Sequence, residues 1–143
     1  MSKSEADVLR DAHAQMRPCY WLRIENQVGN GVPDVHFGVN RIFGWIEGKY
    51  ARVLPANPLT PVFKSLNRGL EVEQENWLYD YARQGGLCWV FARVVDNYVL
   101  VPGIRSMEFN SWCWSQFDPY RIELDMLRMY LVNPKMLGWS LHP

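Results

Sequence analysis

Two short runs hold the residues best suited to chemistry, Gly31-Val32-Pro33-Asp34 and Trp45-Ile46-Glu47-Gly48-Lys49. Folded into an antiparallel hairpin with a two- or four-residue loop centred on Asn40-Arg41, they set Asp34 directly opposite Glu47. Val35, Phe37, Val39, Ile42 and Ile46 then share one face, suited to a core, while Asp34, Glu47 and Lys49 share the other. Opposed residues carry β-carbons ~4.5–5.5 Å apart, and like charges so placed destabilise a sheet. Such a pair calls for a proton, a cation or a partner. Oxygen-only donors suit a hard ion, Mg2+ or Mn2+, which takes one or two carboxylates and completes its shell with water and phosphate oxygens. The Gly48 carbonyl is a further oxygen donor, and Lys49 can reach the same phosphate or an attacking water. The plain alternative is a solvated sheet face on which two acids and a lysine meet water.

The elements that must position these residues can be read from patterning. Residues 4 to 16 form a first helix with Ser4 as N-cap and Val8, Leu9, Ala12 and Met16 as its apolar stripe, ended by Pro18. Cys19 to Glu25 is a strand, followed by a Gly- and Asn-rich loop and the two arms of the hairpin. Asn40-Arg41 is a mediocre turn because the favoured glycine is missing. Residues 54 to 69, with Pro55, Pro58 and Pro61, are a loop. Glu71 to Gln84 is a helix with Val72, Trp77, Leu78 and Tyr81 toward the core and Gly85-Gly86 as its stop. LCWVFARVV and YVLVP form a second strand pair around Asp96-Asn97, and Asp118-Pro119 opens a helix from about Tyr120 to Val132, with Tyr120, Leu124, Leu127 and Leu131 at core spacing. The fold class is α+β, one domain over residues 1–143 with a central mixed sheet flanked by helices.

Composition narrows the choices. Fifteen basic residues balance fifteen acidic ones in 143 residues, so bulk charge gives nucleic-acid binding no support and any such claim rests on local clustering. Seven Trp point to a dense core or a sticky surface. Cys19, Cys88 and Cys113 have no zinc spacing and read as reduced thiols of a cytoplasmic protein without a membrane span. Position 43, where a Walker A glycine would precede Gly48-Lys49, is Phe; neither GxSxG nor HExxH occurs, and His13, His36 and His142 are scattered.

Pro33-Asp34 followed by Glu47-Gly48-Lys49 on a hairpin behind an N-terminal helix resembles the signature of the PD-(D/E)XK nuclease superfamily. The wider pattern, with Gln74, Trp77 and Leu78 on the next helix and then a strand pair, is similar to its VRR-NUC and Holliday-junction-resolvase-like branch, including small phage-borne proteins. The likeness spans residues 4–102; residues 103–143 have no counterpart in it and read as an extension packing on the core or forming a dimer interface. The resemblance implies an α/β/α restriction-endonuclease-like arrangement and a Mg2+- or Mn2+-dependent endonuclease acting on DNA, branched or otherwise structured, as a homodimer. It assigns Asp34 and Glu47 to the metal, Lys49 to the attacking water or the developing charge, and Gln74 to positioning. It also calls for an acid on the first helix. Glu5, Asp7 and Asp11 are candidates with Glu5 preferred, and Glu25 is a rival that a partnership with Arg23 would explain equally well.

Arg52, Lys64 and Arg68 follow Lys49 with no acid before Gly69, and Arg41 lies at the hairpin tip, so these four could form a positive rim for DNA. His36 shares the Asp34 face and could touch substrate. Trp112 and Trp114 could stack on bases, although core or dimer packing is the plainer role. Two other functions stay open: a catalytically silent DNA- or protein-binding module on the same fold, and an RNA nuclease.

Overall fold

The computed structural model describes residues 4–24, 31–64 and 66–138. Helix α1 (Glu5–Met16) begins where expected: Asp7 N donates to the Ser4 hydroxyl at 3.3 Å and Ser4 N donates to Asp7 Oδ2 at 2.9 Å, so two orphan helix-end donors are satisfied reciprocally. Val8, Leu9, Ala12 and Met16 are its buried stripe. Strand β1 (Tyr20–Arg23) is shorter than the run 19–25 suggested, and Glu25 lies outside the described residues, as does His142.

Strands β2 (Val35–Val39) and β3 (Ile42–Ala51) form the hairpin in the expected register, Val35 opposite Ile46 and Val39 opposite Ile42. Its two turn residues, Asn40 and Arg41, both have positive φ, 49° and 65°. This left-handed pair matches the right-handed twist of the strands. The turn forms without glycine, at a steric cost borne by Arg41.

Helix α2 (Val72–Arg83) is the crossover between β3 and β4 (Cys88–Val94), the one parallel pair among the described strands. Strand β5 (Asn97–Pro102) returns antiparallel, and β6 (Arg121–Ile122) closes a six-stranded sheet in the order β1-β2-β3-β4-β5-β6. Period-two alternation sends Val35, Phe37, Ile46, Trp89, Phe91 and Leu100 against α1 on one face, and Ala51, Val90, Ala92, Val99 and Val101 against α2 on the other. The protein is thus a mixed α+β domain with helices on both flanks.

Three expectations change. On α2, Leu78 and Ala82 are the buried residues, while Val72 is 65% and Tyr81 37% exposed, so the inward stripe is rotated toward the small Ala82. The β4–β5 turn falls at Val95-Asp96, with Val95 at φ 57°, and Asn97 starts β5. Residues 120–132 are not one helix. A 3-10 turn at Asp118–Tyr120 gives way to β6, then a second 3-10 turn at Leu124–Met126 leads into α5 (Leu127–Val132). The open edge of β5 offers a hydrogen-bonding partner that an isolated helix would forgo, and Ile122 is buried by taking it.

Residues 103–137 pack on the core. Short helices α3 (Ser106–Phe109) and α4 (Trp114–Phe117) deliver Phe109, Trp112 and Phe117 to Phe63, with ring centroids of Phe63 and Phe109 4.8 Å apart and those of Trp112 and Phe117 5.3 Å apart. Trp112 is buried and Trp114 packs partly buried beside it, which makes both core aromatics here. The loop after β3 is held by two asparagines. Asn67 accepts from Arg52 N and donates to the carbonyls of Val53 and Val62; Asn110 accepts from Leu70 N and donates to Leu70 O and Glu75.

Candidate functional site

Asp34 precedes β2 by one residue, and its backbone carbonyl accepts from Ile24 N at 2.7 Å, so the β1–β2 ladder continues to it. The side chain turns across the hairpin, where Oδ2 accepts from Gly48 N at 2.9 Å. Glu47 and Lys49 alternate with Gly48 on β3 and take the α2 face, where both are 2% exposed. Gly48 faces α1 instead: a β-carbon there would stand 2.7 Å from Leu9 Cγ, so glycine lets the helix lie against the strand.

Gln74 joins α2 to this strand. Its Oε1 accepts from Glu71 N at 2.9 Å, completing a capping box, while its Nε2 donates to Glu47 Oε2 at 2.9 Å. The cap fixes the amide, and the fixed amide orients the carboxylate. Lys49 Nζ sits 3.4 Å from Glu5 Oε1 and 3.5 Å from Glu47 Oε2. The preferred helical acid is therefore found beside the ammonium of Lys49.

Glu47 is the electrostatic anomaly. Its Oε1 is buried and meets no hydrogen-bond donor among the described residues. Burial first, then the neighbouring Asp34 charge and more weakly Glu5, push its pKa up to about 8 against the opposing pull of Lys49. At neutral pH the carboxyl is poised to hold a proton unless a cation replaces it.

These groups line a cleft of about 260 Å³ bounded by Glu5, Arg23, Asp34, Glu47, Lys49, Arg68 and Gln74. Arg23 was seen in the sequence only as a companion of Glu25. Its place depends on the β1–β2 register, which pairs it with Val35 and brings it beside Asp34. Of the four residues expected to form a basic rim, Arg68 lines the cleft, and Arg68 and Lys64 together line an adjoining hollow of about 420 Å³. Arg52 is exposed just beyond β3. Arg41, six residues from Glu47 along the hairpin, is about 20 Å away at its tip and does not line the cleft.

Among the described residues there is no group of three or more His, Cys, Asp or Glu side chains arranged to hold a metal ion. Asp34 and Glu47 are the pair whose chemistry would suit a hard divalent cation. The orphaned Glu47 oxygen lacks a positive partner, both groups are oxygen donors, and such ions use one or two carboxylates with water for the rest. No family model, curated protein or solved structure matches this chain.

Proposed function

We propose that the protein is a metal-dependent endodeoxyribonuclease of the PD-(D/E)XK kind, cutting phosphodiester bonds in branched or structured DNA, in the cytoplasm and as a homodimer. The observation that carries this reading is the buried Glu47 carboxyl, one oxygen orphaned and the other held by Gln74, packed beside a buried lysine and an aspartate at an open polar cleft. A fold with no ligand to serve would be as stable or more so with apolar residues at these positions. Asp34 and Glu47, with the Gly48 carbonyl, would hold Mg2+ or Mn2+. When bound, such an ion polarises a phosphoryl oxygen and lowers the pKa of a coordinated water.

The other roles belong to the chain itself. Lys49, fixed between Glu5 and Glu47, presents an ammonium to the charge that grows on the phosphate in the transition state; because it is already positioned and desolvated, little reorganisation is needed. Gln74 holds Glu47 in one orientation. Arg23 and Arg68 flank the opening and suit the phosphates on either side of the scissile bond.

The test is incubation of the purified chain with labelled four-way junction and duplex DNA, with Mg2+, with Mn2+ and with chelator. Cleavage should require the ion and fall at least ~10²-fold in Lys49→Ala. Persistence of cutting in chelator or in that variant refutes the mechanism. The lack of a three-acid group among the described residues and the zero net charge favour one second reading, a binding module that retains DNA without cleaving it under any metal.

A further inference from the structure

Helix α2 packs over β4, with Leu78 and Ala82 in one cluster with Val90, Ala92 and Val99. It meets β3 through Trp77 against Trp45, at 5.4 Å between centroids, and through Gln74 against Glu47. The same face of β1 and β2, and of β3 at Phe43, is without a covering helix among the described residues. That surface is a row of rings. Moving along the hairpin from Asp34 and Glu47, the next rung on their face is His36 opposite Trp45, stacked at 4.5 Å between centroids. The rung after it is Gly38 opposite Phe43, with Tyr20 of β1 on the other side of Gly38. Phe43 lies over Gly38, where a β-carbon would stand 2.5 Å from its Cε1, yet Phe43 remains 59% exposed and Tyr20 45% exposed. The glycine thus seats a ring on the sheet with much of its surface turned to solvent.

We propose that this surface is a stacking platform for an unpaired DNA strand leading into the cleft, an inference that rests on the nuclease reading and names the substrate form it favours. Three features select that occupant. The platform continues along β2 and β3, with β1 beside them, on the same face as Asp34 and Glu47, so a strand whose phosphate lies in the cleft is already directed onto it. Its rungs repeat every two residues, about 6.8 Å, a spacing that accepts splayed bases but not a closed duplex stack. Beyond the Asp34 and Glu47 pair, Tyr20, Leu22, His36, Gly38, Phe43 and Trp45 include no carboxylate, and the row ends at Arg41. A π-face that any base can use, followed by a cation, is the usual form of single-strand recognition.

The test uses the full chain in chelator, where nothing is cut. A fluorescein-labelled oligothymidylate of ~12 nucleotides and a blunt duplex of equal length are titrated by anisotropy, with tryptophan quenching as second readout. Phe43→Leu keeps apolar cover over Gly38 but removes the ring; Tyr20→Leu does the same on β1. Wild type should prefer the single strand, and each variant should weaken that binding roughly 5- to 150-fold while duplex binding changes little. Unchanged oligothymidylate affinity in both variants overturns the proposal. So does a dimer that these variants convert to monomer with oligonucleotide binding intact, which would make the face a contact between two copies of the chain. Metal-dependent cleavage with no contribution from Phe43 or Tyr20 removes the platform and leaves the nuclease. Ring-dependent binding without cleavage in any metal removes the nuclease and leaves the platform.

Discussion

Replacing Glu47 by Gln isolates the energetic consequence of burying that carboxyl. An ordinary glutamate near 4.5 becomes a group with a pKa of about 8 in the folded chain. As pH rises, the unfolded chain therefore loses this proton first. Between those values it binds fewer protons than the native state, so stability falls with pH. Below pH 4.5 both states are protonated and the contribution is complete; above 8 both are ionised and it is gone. At ~1.4 kcal/mol per pKa unit, the loss across the window is ~5 kcal/mol, a large part of a domain's stability. Glutamine is neutral throughout and can still accept from Gln74 Nε2. Urea unfolding of wild type and Glu47→Gln from pH 4.5 to 9 in chelator measures the difference directly, since every other titrating group is common to both proteins. The wild-type curve should fall relative to the variant by several kcal/mol, with most of the decline before pH 8. Mg2+ or Mn2+ at pH 8 should restore part of the loss in wild type alone, because an ion bound only by the folded carboxylates stabilises by mass action. Parallel curves in chelator would refute the assignment of a proton to this carboxyl at neutral pH.

Gly48→Ala should destabilise by about 1–3 kcal/mol, since the new β-carbon meets the Leu9 side chain at 2.7 Å and forces it to shift within the α1 contact; the denaturation midpoint should fall, and with it the metal-dependent cleavage rate. Gln74→Leu removes the donor to Glu47 Oε2 and the acceptor for Glu71 N, costing about 1–3 kcal/mol and moving the pH-dependent loss of stability to still higher pH, as a pH series of urea midpoints would show. Arg41→Gly relieves a left-handed residue at φ 65° and should stabilise by about 1 kcal/mol, read as a higher Tm, while lowering the salt dependence of single-strand binding if Arg41 meets a phosphate.

The hairpin was legible because its determinants are local: alternation fixes which residues share a face, and a two-residue turn then fixes the register that places Glu47 across from Asp34. The capping of α1 by Ser4 was legible for the same reason. What could not be read depends on partners distant in sequence. Arg23 enters the cleft through β1–β2 pairing, which joins residues on either side of a Gly- and Asn-rich connection. Residues 121–122 satisfy the edge of β5, a demand that no pattern within 118–132 announces. On α2, Ala82 contributes to packing through its small size, so an eye for large side chains selects Tyr81 and rotates the helix. Gln74 is marked by the resemblance, and its position at N3 supplies a physical reason: the residue that completes the cap of α2 also reaches Glu47.

The placement of the cleft follows from the layer arrangement. Glu5 is the first residue of α1, which covers one face of the sheet, and Gln74 lies in the first turn of α2, which covers the other. Both helices thus begin at the same end of β3, with the sheet between them. Each N-terminus carries a partial positive charge and unpaired amide groups that only capping side chains or solvent satisfy. Two helix N-termini, Arg23, Arg68 and Lys49 converge on Asp34 and Glu47, with Lys49 between Glu5 and Glu47 and Arg68 against Glu71. On the proposed reading the basic groups would receive a phosphate and the two carboxylates a cation. The same crossover that makes β3 and β4 parallel brings α2 back to the point where it can hold Glu47, so the topology and the cleft are consequences of a single chain path.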